Sequence, residues 1–339
     1  MVEFWVGETN RPLVKKHAQV MDSAANYYAS SSLKIPYSYD ALFLDSGAYT
    51  FTRRGLSADK EKIKRIQEKL DPDRAIPLDY PFLPRMTLTA MRRLWEKTAE
   101  NTLEWQNTTR LRSIVPVLHA WDNKSLVDNI KWIYKKVDCE YVAVGTIVTP
   151  KFSRFTGYFG DRHPSLLTIT LILRAIQLIK HYTELKVHLT GFGSSPLTLH
   201  LAYFMGAESV DSMGYKRKAA YGKILLPGVG ERYAGRGDAS FGVKPLSPSE
   251  LKLLSECRCP ICSTNQSLLW RDWKARAIHN KYVLEKEAEV ARRLLAEDPE
   301  SYTAYLDEIY AHSSKNFMAY WKFVKNNMKQ LPLDFWIWR

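Results

Sequence analysis

Short β-rich runs alternate with helical patterns along most of the chain. Apart from a possible eighth at Ile224–Leu226, there are seven such runs: Glu3–Gly7, Ala41–Asp45, Ala75–Asp79, Ile114–Leu118, Tyr141–Gly145, Val187–Gly191 and Ser209–Asp211. Strands that alternate with helices form parallel βαβ units, and eight such units close a barrel. The pattern therefore predicts an α/β fold, a (β/α)8 TIM barrel.

The helical stretches and a change of composition predict the domain organisation. Asp59–Leu70 and Ala90–Trp105 are rich in helix formers, and Leu166–Ile179 has a long apolar face, as expected of outer helices. Residues 228–242 are rich in glycine, which predicts a long loop. We expect residues 1–250 to form the catalytic barrel, and residues 251–339 to form a zinc-binding segment and C-terminal helices packed on it.

The charge of the chain favours a polyanionic partner. The 49 Lys and Arg outnumber the 36 Asp and Glu, which gives a net charge of +13. A nucleic-acid-binding surface accounts for this excess, although a soluble basic protein without such a partner has the same composition. The N-terminus has no signal-peptide pattern, and no run of 18 apolar residues occurs, so we expect a soluble cytoplasmic protein without a membrane partner.

Three of the four cysteines lie in one short segment. Cys257, Cys259 and Cys262 are followed by His279 after sixteen residues, and Cys139 stands apart. Three thiolates and an imidazole form the closed tetrahedral shell of structural zinc, which leaves no position for a catalytic water. We predict a structural Zn²⁺ that joins the last barrel element to the C-terminal helices. The alternative is a set of buried or redox-active cysteines.

Carboxylates and glycines follow the predicted strands. In a (β/α)8 barrel the residues after the strands meet at one face, where active sites lie. The residues at these positions are Asp45, Ser46 and Gly47, then Asp79, His119, Gly145, Gly191 and Asp211. Several carboxylates suit displacement at an anomeric carbon, because one attacks while another transfers protons. Taken singly, Asp45 is also typical of a turn or helix cap, and His119 of a hydrogen-bonded core histidine.

Motifs spread from about residue 40 to about residue 285 resemble the tRNA-guanine transglycosylase superfamily, and especially its DNA-modifying, DpdA-type branch. Leu44–Tyr49 (LDSGAY) resembles the family segment whose aspartate handles protons, and Val210–Gly214 (VDSMG) resembles the nucleophile segment of the DNA-acting branch. The cysteines and the His279-Asn280 pair resemble the family's zinc site. The resemblance implies that Asp211 is the nucleophile, that Asp45 is the proton carrier and that His279 is the fourth zinc ligand.

The resemblance also implies a base-binding site. Asp79 stands where the family reads the Watson–Crick edge of guanine, and Gly145 and Gly191 stand where backbone groups line the base pocket, next to Ser46 and Gly47. His119 replaces a glutamine of the tRNA-modifying enzymes, and the Pro-Thr-Arg that follows their nucleophile segment is missing. Both departures favour DNA over tRNA.

The implied reaction replaces guanine in DNA with a 7-deazaguanine such as 7-cyano-7-deazaguanine (preQ0), through a covalent Asp211 intermediate. It needs no nucleotide triphosphate, and the chain has no phosphate loop, although relatives work with a helper ATPase. Two alternatives remain open: exchange on tRNA, and a non-catalytic nucleic-acid-binding subunit.

Four basic residues follow the predicted nucleophile and are candidates for binding the flanking phosphates. They are Lys216, Arg217, Lys218 and Lys223. The target base must leave the stack before its C1′ can be reached, so contacts to the neighbouring backbone are expected. A solvated basic surface is the alternative interpretation.

Overall fold

The computed structural model describes residues 1–30, 32–83, 86–147, 165–235 and 244–328. The chain divides into two compact units. The first unit comprises Met1–Val6, Gly191–Phe204 and Glu208–Lys325, and the second comprises Gly7–Thr190, Met205–Ala207 and Asn326–Arg339. The predicted domain boundary at residue 250 stays a prediction.

The main sheet has eight strands in the order β4-β3-β2-β1-β8-β7-β6-β5. The strands are β1 (Glu3–Gly7), β2 (Lys16–Ser23), β3 (Ser38–Asp45), β4 (Arg74–Ala75), β5 (Val117–Ala120), β6 (Tyr141–Ile147), β7 (Lys186–Leu189) and β8 (Ser209–Ser212). The pairs β1·β8, β2·β3, β3·β4, β5·β6 and β6·β7 are parallel, and a parallel bridge joins Ala75 of β4 to Ile114 just before β5. This is the connectivity of a (β/α)8 barrel, so the predicted fold class is confirmed.

The eighth strand of this sheet is β2, which the sequence analysis missed. Ile224–Leu226 instead belongs to β9 (Lys223–Leu226), which pairs antiparallel with β10 (Gly230–Tyr233) in a separate hairpin. The strand β2 (KHAQVMDS) mixes charged and apolar residues, so its pattern does not stand out. The predicted long loop contains β10, and the rest of it from residue 236 lies outside the described residues.

Helices of the second unit follow its strands. They are α1 (Ala48–Arg53), α2 (Lys60–Leu70), α3 (Leu88–Thr108), α4 (Asn123–Lys136) and α5 (Leu166–Tyr182). The α2 helix begins because the Asp59 side chain accepts a hydrogen bond from the Lys62 N–H. Its residues Ile63, Ile66 and Leu70 recur at helical spacing and are buried against the sheet side of the unit. The three helices predicted from the sequence are confirmed.

Most of the helices lie in the first unit. They are α6 (Pro196–Phe204), α7 (Gly214–Ala220), α8 (Pro248–Ser255), α9 (Cys262–Asn265), α10 (Trp273–Glu297), α11 (Pro299–Ala311) and α12 (Lys315–Asn327, of which the last two residues fall in the second unit). Glu287 of α10 links several of them: its carboxylate contacts His200 of α6 at 2.6 Å and accepts a hydrogen bond from Tyr305 of α11 at 2.9 Å. Because a buried charge is costly unless it is paired, these contacts fix how α6, α10 and α11 pack.

Helix length and polarity also bear on the membrane question. Among the described residues, no helix combines the length and the apolar composition that a membrane crossing requires.

Candidate functional site

In the second unit, Asp79 and His119 form a buried pair. His119 is the third residue of β5, and its Nε2 lies 3.0 Å from Oδ2 of Asp79, which follows β4. The hydroxyl of Ser46 donates to the other oxygen, Oδ1, at 3.3 Å. The side chains of His119 and Asp79 are 0% and 6% exposed. The structure therefore brings together three of the residues predicted to bind the base.

A backbone donor determines which ring nitrogen of His119 carries the proton. The N–H of Thr146 donates to His119 Nδ1 at 2.8 Å. A ring nitrogen that accepts a hydrogen bond carries no proton, which assigns the ring proton to Nε2. His119 therefore donates to Asp79, and both of its ring nitrogens are engaged.

Gly145 makes room for the His119 ring. A Cβ at Gly145 would lie 2.5 Å from Val117 Cγ1, 2.6 Å from His119 Cε1 and 2.7 Å from His119 Nδ1, distances that real Cβ atoms do not tolerate. The next residue, Thr146, is fully buried, and its hydroxyl has no hydrogen-bond partner among the residues that the structure describes. A buried hydroxyl without a partner costs about 1–3 kcal/mol, which a polar ligand would recover.

Asp45 ends β3 and is held by its neighbours. Its Oδ2 accepts hydrogen bonds from the Gly47 N–H at 2.8 Å and from the Ser23 hydroxyl at 3.4 Å. The preceding residue of β2, Asp22, is buried, and its Oδ2 accepts hydrogen bonds from Tyr27 and Tyr37 at 2.7 and 2.6 Å. Burial raises the pKa of Asp22, and these hydrogen bonds oppose the shift. The sequence analysis missed Asp22 and Ser23 because it did not identify β2.

In the first unit, Asp211 lies on β8 with its carboxylate fixed by backbone. The Gly191 N–H donates to Asp211 Oδ1 at 2.7 Å, and the Gly193 N–H donates to the Asp211 carbonyl at 3.1 Å. The Ser212 hydroxyl accepts a hydrogen bond from the Gly214 N–H at 2.8 Å, which starts α7 directly after the strand. The structure thus joins two predicted site residues, Asp211 and Gly191.

Two of the four predicted phosphate-binding residues are engaged elsewhere. Lys218 and Lys223 both form ion pairs with Glu231 of β10, at 3.0 Å for Lys223. Burial raises the pKa of Glu231, but the nearby charges of Lys218 and Lys223 have the larger opposite effect. The pKa of Glu231 is therefore lowered to about 2. Because Glu231 offsets their charge, Lys218 and Lys223 are weak candidates for binding phosphate.

Lys216 and Arg217 occupy the surface of α7. Arg217 is exposed, and Lys216 is half-buried with its Nζ 5.8 Å from the centroid of the Tyr215 ring. Burial lowers the pKa of Lys216 to about 8.

A basic pair that the sequence analysis did not single out follows Asp45. Arg53 ends α1 and Arg54 caps it, so the pair lies one short helix beyond the Asp45 motif. Both are exposed, and within the described part of the chain neither side chain forms a hydrogen bond or an ion pair. The position of Arg53 and Arg54 shortly after Asp45 is the feature of the sequence that could have identified them as candidates.

The first unit also contains the predicted metal ligands. One ligand atom from each of Cys257, Cys259, Cys262 and His279 lies within 4.8 Å of the others. The three sulfurs are 3.5–3.6 Å from His279 Nδ1. A tetrahedral zinc with Zn–S of about 2.3 Å and Zn–N of about 2.0 Å has sulfur–nitrogen edges of roughly 3.5 Å, so the cluster fits zinc.

The protonation of the cluster also favours a cation. Hydrogen bonds from Cys257 and Cys262 lower the pKa of the Cys259 thiol far below its usual range, whereas hydrogen bonds with Cys257 and Cys259 raise that of Cys262 far above it. Thiolates this close together repel one another, and a bound cation would offset their charge.

The metal ligands are tied to α7, the helix that follows Asp211. His279 Nε2 lies 2.8 Å from the Leu225 carbonyl, so it donates its proton there and leaves Nδ1 facing the sulfurs. Asn280 donates to the Tyr215 carbonyl and accepts from the Leu225 N–H. Arg276 donates to the Ala219 carbonyl at 2.8 Å. These contacts tie α10, which carries His279, to α7 and β9.

Comparisons with other proteins add no family assignment. A scan against known protein families found no match, and a search of curated proteins found no similar sequence. The resemblance to the transglycosylases therefore stays a prediction from motifs.

Proposed function

We propose that the chain is a base-exchange transglycosylase, a pentosyltransferase that replaces guanine in DNA with a 7-deazaguanine. The observation that carries the proposal is that Asp45, Asp79 and Asp211 stand at or just beyond the carboxyl ends of three strands of one parallel sheet. In (β/α)8 enzymes these strand ends supply the catalytic residues. The motif resemblance adds a role for each aspartate.

The proposed reaction is a double displacement. The carboxylate of Asp211 attacks C1′ of the target nucleoside, the C1′–N9 bond breaks, and Asp45 donates its proton to N9 of the departing guanine. The incoming 7-deazaguanine gives its N9 proton to Asp45, and N9 attacks C1′ to release Asp211. The proton gained by guanine equals the one lost by the incoming base, so the exchange balances. Two inversions retain the configuration at C1′.

The residues around each aspartate support these roles. The Gly191 N–H fixes one oxygen of Asp211, which leaves the carboxylate oriented before the substrate binds. Ser23 and Gly47 fix Oδ2 of Asp45 in the same way. Asp79, with Ser46 and His119 on its oxygens, is proposed to bind the N–H donors of the base.

The basic residues support a nucleic-acid substrate. Arg53, Arg54 and Arg217 are exposed and Lys216 is half-buried, and cations of this kind bind backbone phosphates without reading sequence. The proposed zinc ion is structural, because its four protein ligands leave no position for substrate. It holds α10, and through Asn280 and Arg276 the helix after the nucleophile. A helper ATPase is proposed as a further partner.

The proposal is tested by incubating the protein with 7-cyano-7-deazaguanine and either guanine-containing DNA or tRNA. Nuclease digestion and mass spectrometry then identify the modified nucleoside. Modified deoxyguanosine is the expected product, and modified guanosine from tRNA alone would assign the enzyme to RNA. Nucleic-acid binding without any product, with and without added ATPase partners, would favour the non-catalytic alternative.

Matched variants locate the nucleophile. Without an incoming base, the wild type should form a covalent adduct with DNA that survives denaturing electrophoresis. Asp211→Asn should form none and still bind DNA, because the substitution removes the nucleophile but keeps its shape. Asp128 is an exposed carboxylate on α4, away from the strand ends. Asp128→Asn removes the same charge as Asp211→Asn and should leave adduct formation unchanged. An adduct formed by Asp211→Asn would remove Asp211 from this role.

A further inference from the structure

We infer that His119 is a positioning residue that orients Asp79, and that it does not contact the base itself. The inference rests on the proposed function, in which Asp79 binds the exchanged base, and it changes the role that the motif comparison gives to His119. That comparison places His119 where relatives have a glutamine in the base site.

Both nitrogens of the His119 ring are already used. Nδ1 accepts the Thr146 N–H at 2.8 Å, and Nε2 donates to Asp79 Oδ2 at 3.0 Å. A neutral imidazole has one donor and one acceptor, so no polar atom of the ring is left for a ligand. A base that bound His119 directly would leave either a buried N–H or a buried carboxylate oxygen unpaired.

The surroundings of the ring leave no space for a base. His119 is 0% exposed. Gly145 lies so close to the ring that a Cβ added to it would be 2.6 Å from His119 Cε1. Phe82 packs beside the ring with centroids 5.2 Å apart, and the Asn129 side chain holds the His119 carbonyl at 2.8 Å. The ring is therefore held in one orientation, which is what a positioning group requires.

The arrangement prepares Asp79 to accept two donors. Each carboxylate oxygen accepts about two hydrogen bonds. His119 occupies one position on Oδ2, and Ser46 occupies one on Oδ1. Among the residues that the structure describes, no other group donates to these oxygens, so one acceptor position per oxygen remains. Two such positions match the adjacent ring N–H and amino N–H donors of guanine and of 7-deazaguanines. A base with an acceptor at either place would meet an unpaired carboxylate oxygen and bind poorly.

Two variants separate this role from a packing role. In His119→Gln, the amide oxygen can accept the Thr146 N–H and the amide NH2 can donate to Asp79, so both hydrogen bonds are retained. In His119→Leu, both are lost. We expect His119→Leu to weaken binding of 7-cyano-7-deazaguanine by about 10-fold to 100-fold, the size of losing a hydrogen bond to a carboxylate. His119→Gln should return the affinity to within about threefold of wild type.

Isothermal titration with the free base gives the affinities, and steady-state kinetics shows whether the effect lies in KM for the base and not in kcat. If His119 acts only through packing, both variants lose stability. The base affinity of His119→Gln, which retains the hydrogen bonds, is then no higher than that of His119→Leu, which loses them. If His119 contacts the base directly, His119→Gln changes the preference between guanine and the 7-deazaguanine. Either result overturns the inference.

Nitrogen NMR of protein with 15N-labelled histidine tests the inference without substrate turnover. The only variant it needs serves to assign signals and does not have to be active. The chemical shifts of the two ring nitrogens identify the tautomer, and the signals absent from His119→Gln assign His119. A proton on Nε2, with ring shifts that hardly change when the base binds, is expected. A proton on Nδ1 overturns the inference even if the enzyme exchanges bases. A wild type that shows the Nε2–H tautomer and binds no base contradicts the proposed function alone.

Discussion

Gly191 donates its backbone N–H to Oδ1 of Asp211 at 2.7 Å, so the conformation of a glycine sets the direction of the predicted nucleophile. Gly191 has a φ of 68°, in the left-handed region that other residues rarely adopt. A Cβ added at Gly191 would meet nothing within 4 Å, so the backbone conformation alone requires glycine there.

Substituting Gly191 should therefore reduce activity more than stability. In Gly191→Ala we expect about 1 kcal/mol of lost stability from the left-handed backbone, and at least a 10-fold slower covalent step as the Asp211 contact shifts. Gly55→Ala is a matched control, because Gly55 has a φ of 64° and equally open surroundings. Denaturant unfolding and adduct formation give both quantities. Equal activity in the two variants would show that the Gly191 contact does not position Asp211.

Removing a metal ligand should destabilise the protein without acting on the chemistry directly. We expect the wild type to contain one zinc per chain, and Cys259→Ser to lose it together with more than about 4 kcal/mol of stability, the range typical of a lost metal site. Cys139→Ser, outside the cluster, should keep both. Elemental analysis and thermal unfolding measure these changes. A zinc-free Cys259→Ser protein with wild-type stability would contradict the structural role.

Nucleic-acid binding through Lys216 should decrease as the pH rises. Burial lowers the pKa of Lys216 to about 8, so its ammonium is charged below this pH and loses its charge above it. Only the charged form binds phosphate, so affinity for a single-stranded oligonucleotide should fall between pH 7 and 9.

Lys216→Arg provides the comparison, because a guanidinium stays protonated throughout this range. Fluorescence anisotropy at constant ionic strength should show that the variant keeps its affinity at high pH. A parallel fall in both proteins would mean that another group titrates.

The Arg53-Arg54 pair should contribute phosphate contacts. Arg53→Ala/Arg54→Ala should weaken binding of a single strand at low salt and reduce the slope of log affinity against log salt by roughly 1.4, since each contact contributes about 0.7. Lys135→Ala/Lys136→Ala is the control, because it removes an exposed basic pair at the end of α4. This pair lies before the amino end of a strand and not at a carboxyl end. The control should leave the slope unchanged, and equal losses in both double variants would point to nonspecific charge.

The sequence was sufficient to predict most of the sheet. Seven of its eight strands overlap apolar runs between helical patterns, and the predicted α2, α3 and α5 begin at caps or apolar faces that are visible in the sequence. The strand β2 was missed because polar residues interrupt its pattern, and β9 was mistaken for a barrel strand because apolar runs do not specify a partner. Strand pairing depends on contacts between residues far apart in the chain.

The sequence by itself was sufficient to predict the cluster of Cys257, Cys259, Cys262 and His279, because these residues have the spacing and chemistry of a closed zinc site. It also determined which aspartates end the strands, since their positions follow from local hydrophobic patterns. Only the tertiary structure decided what these groups bind. The bond from Thr146 to His119, the Lys218 and Lys223 pairs with Glu231, and the Ser23 contact to Asp45 all join different strands or helices. Hydrogen bonds of this kind depend on distances of a few ångströms between elements, which a linear pattern of residues does not contain.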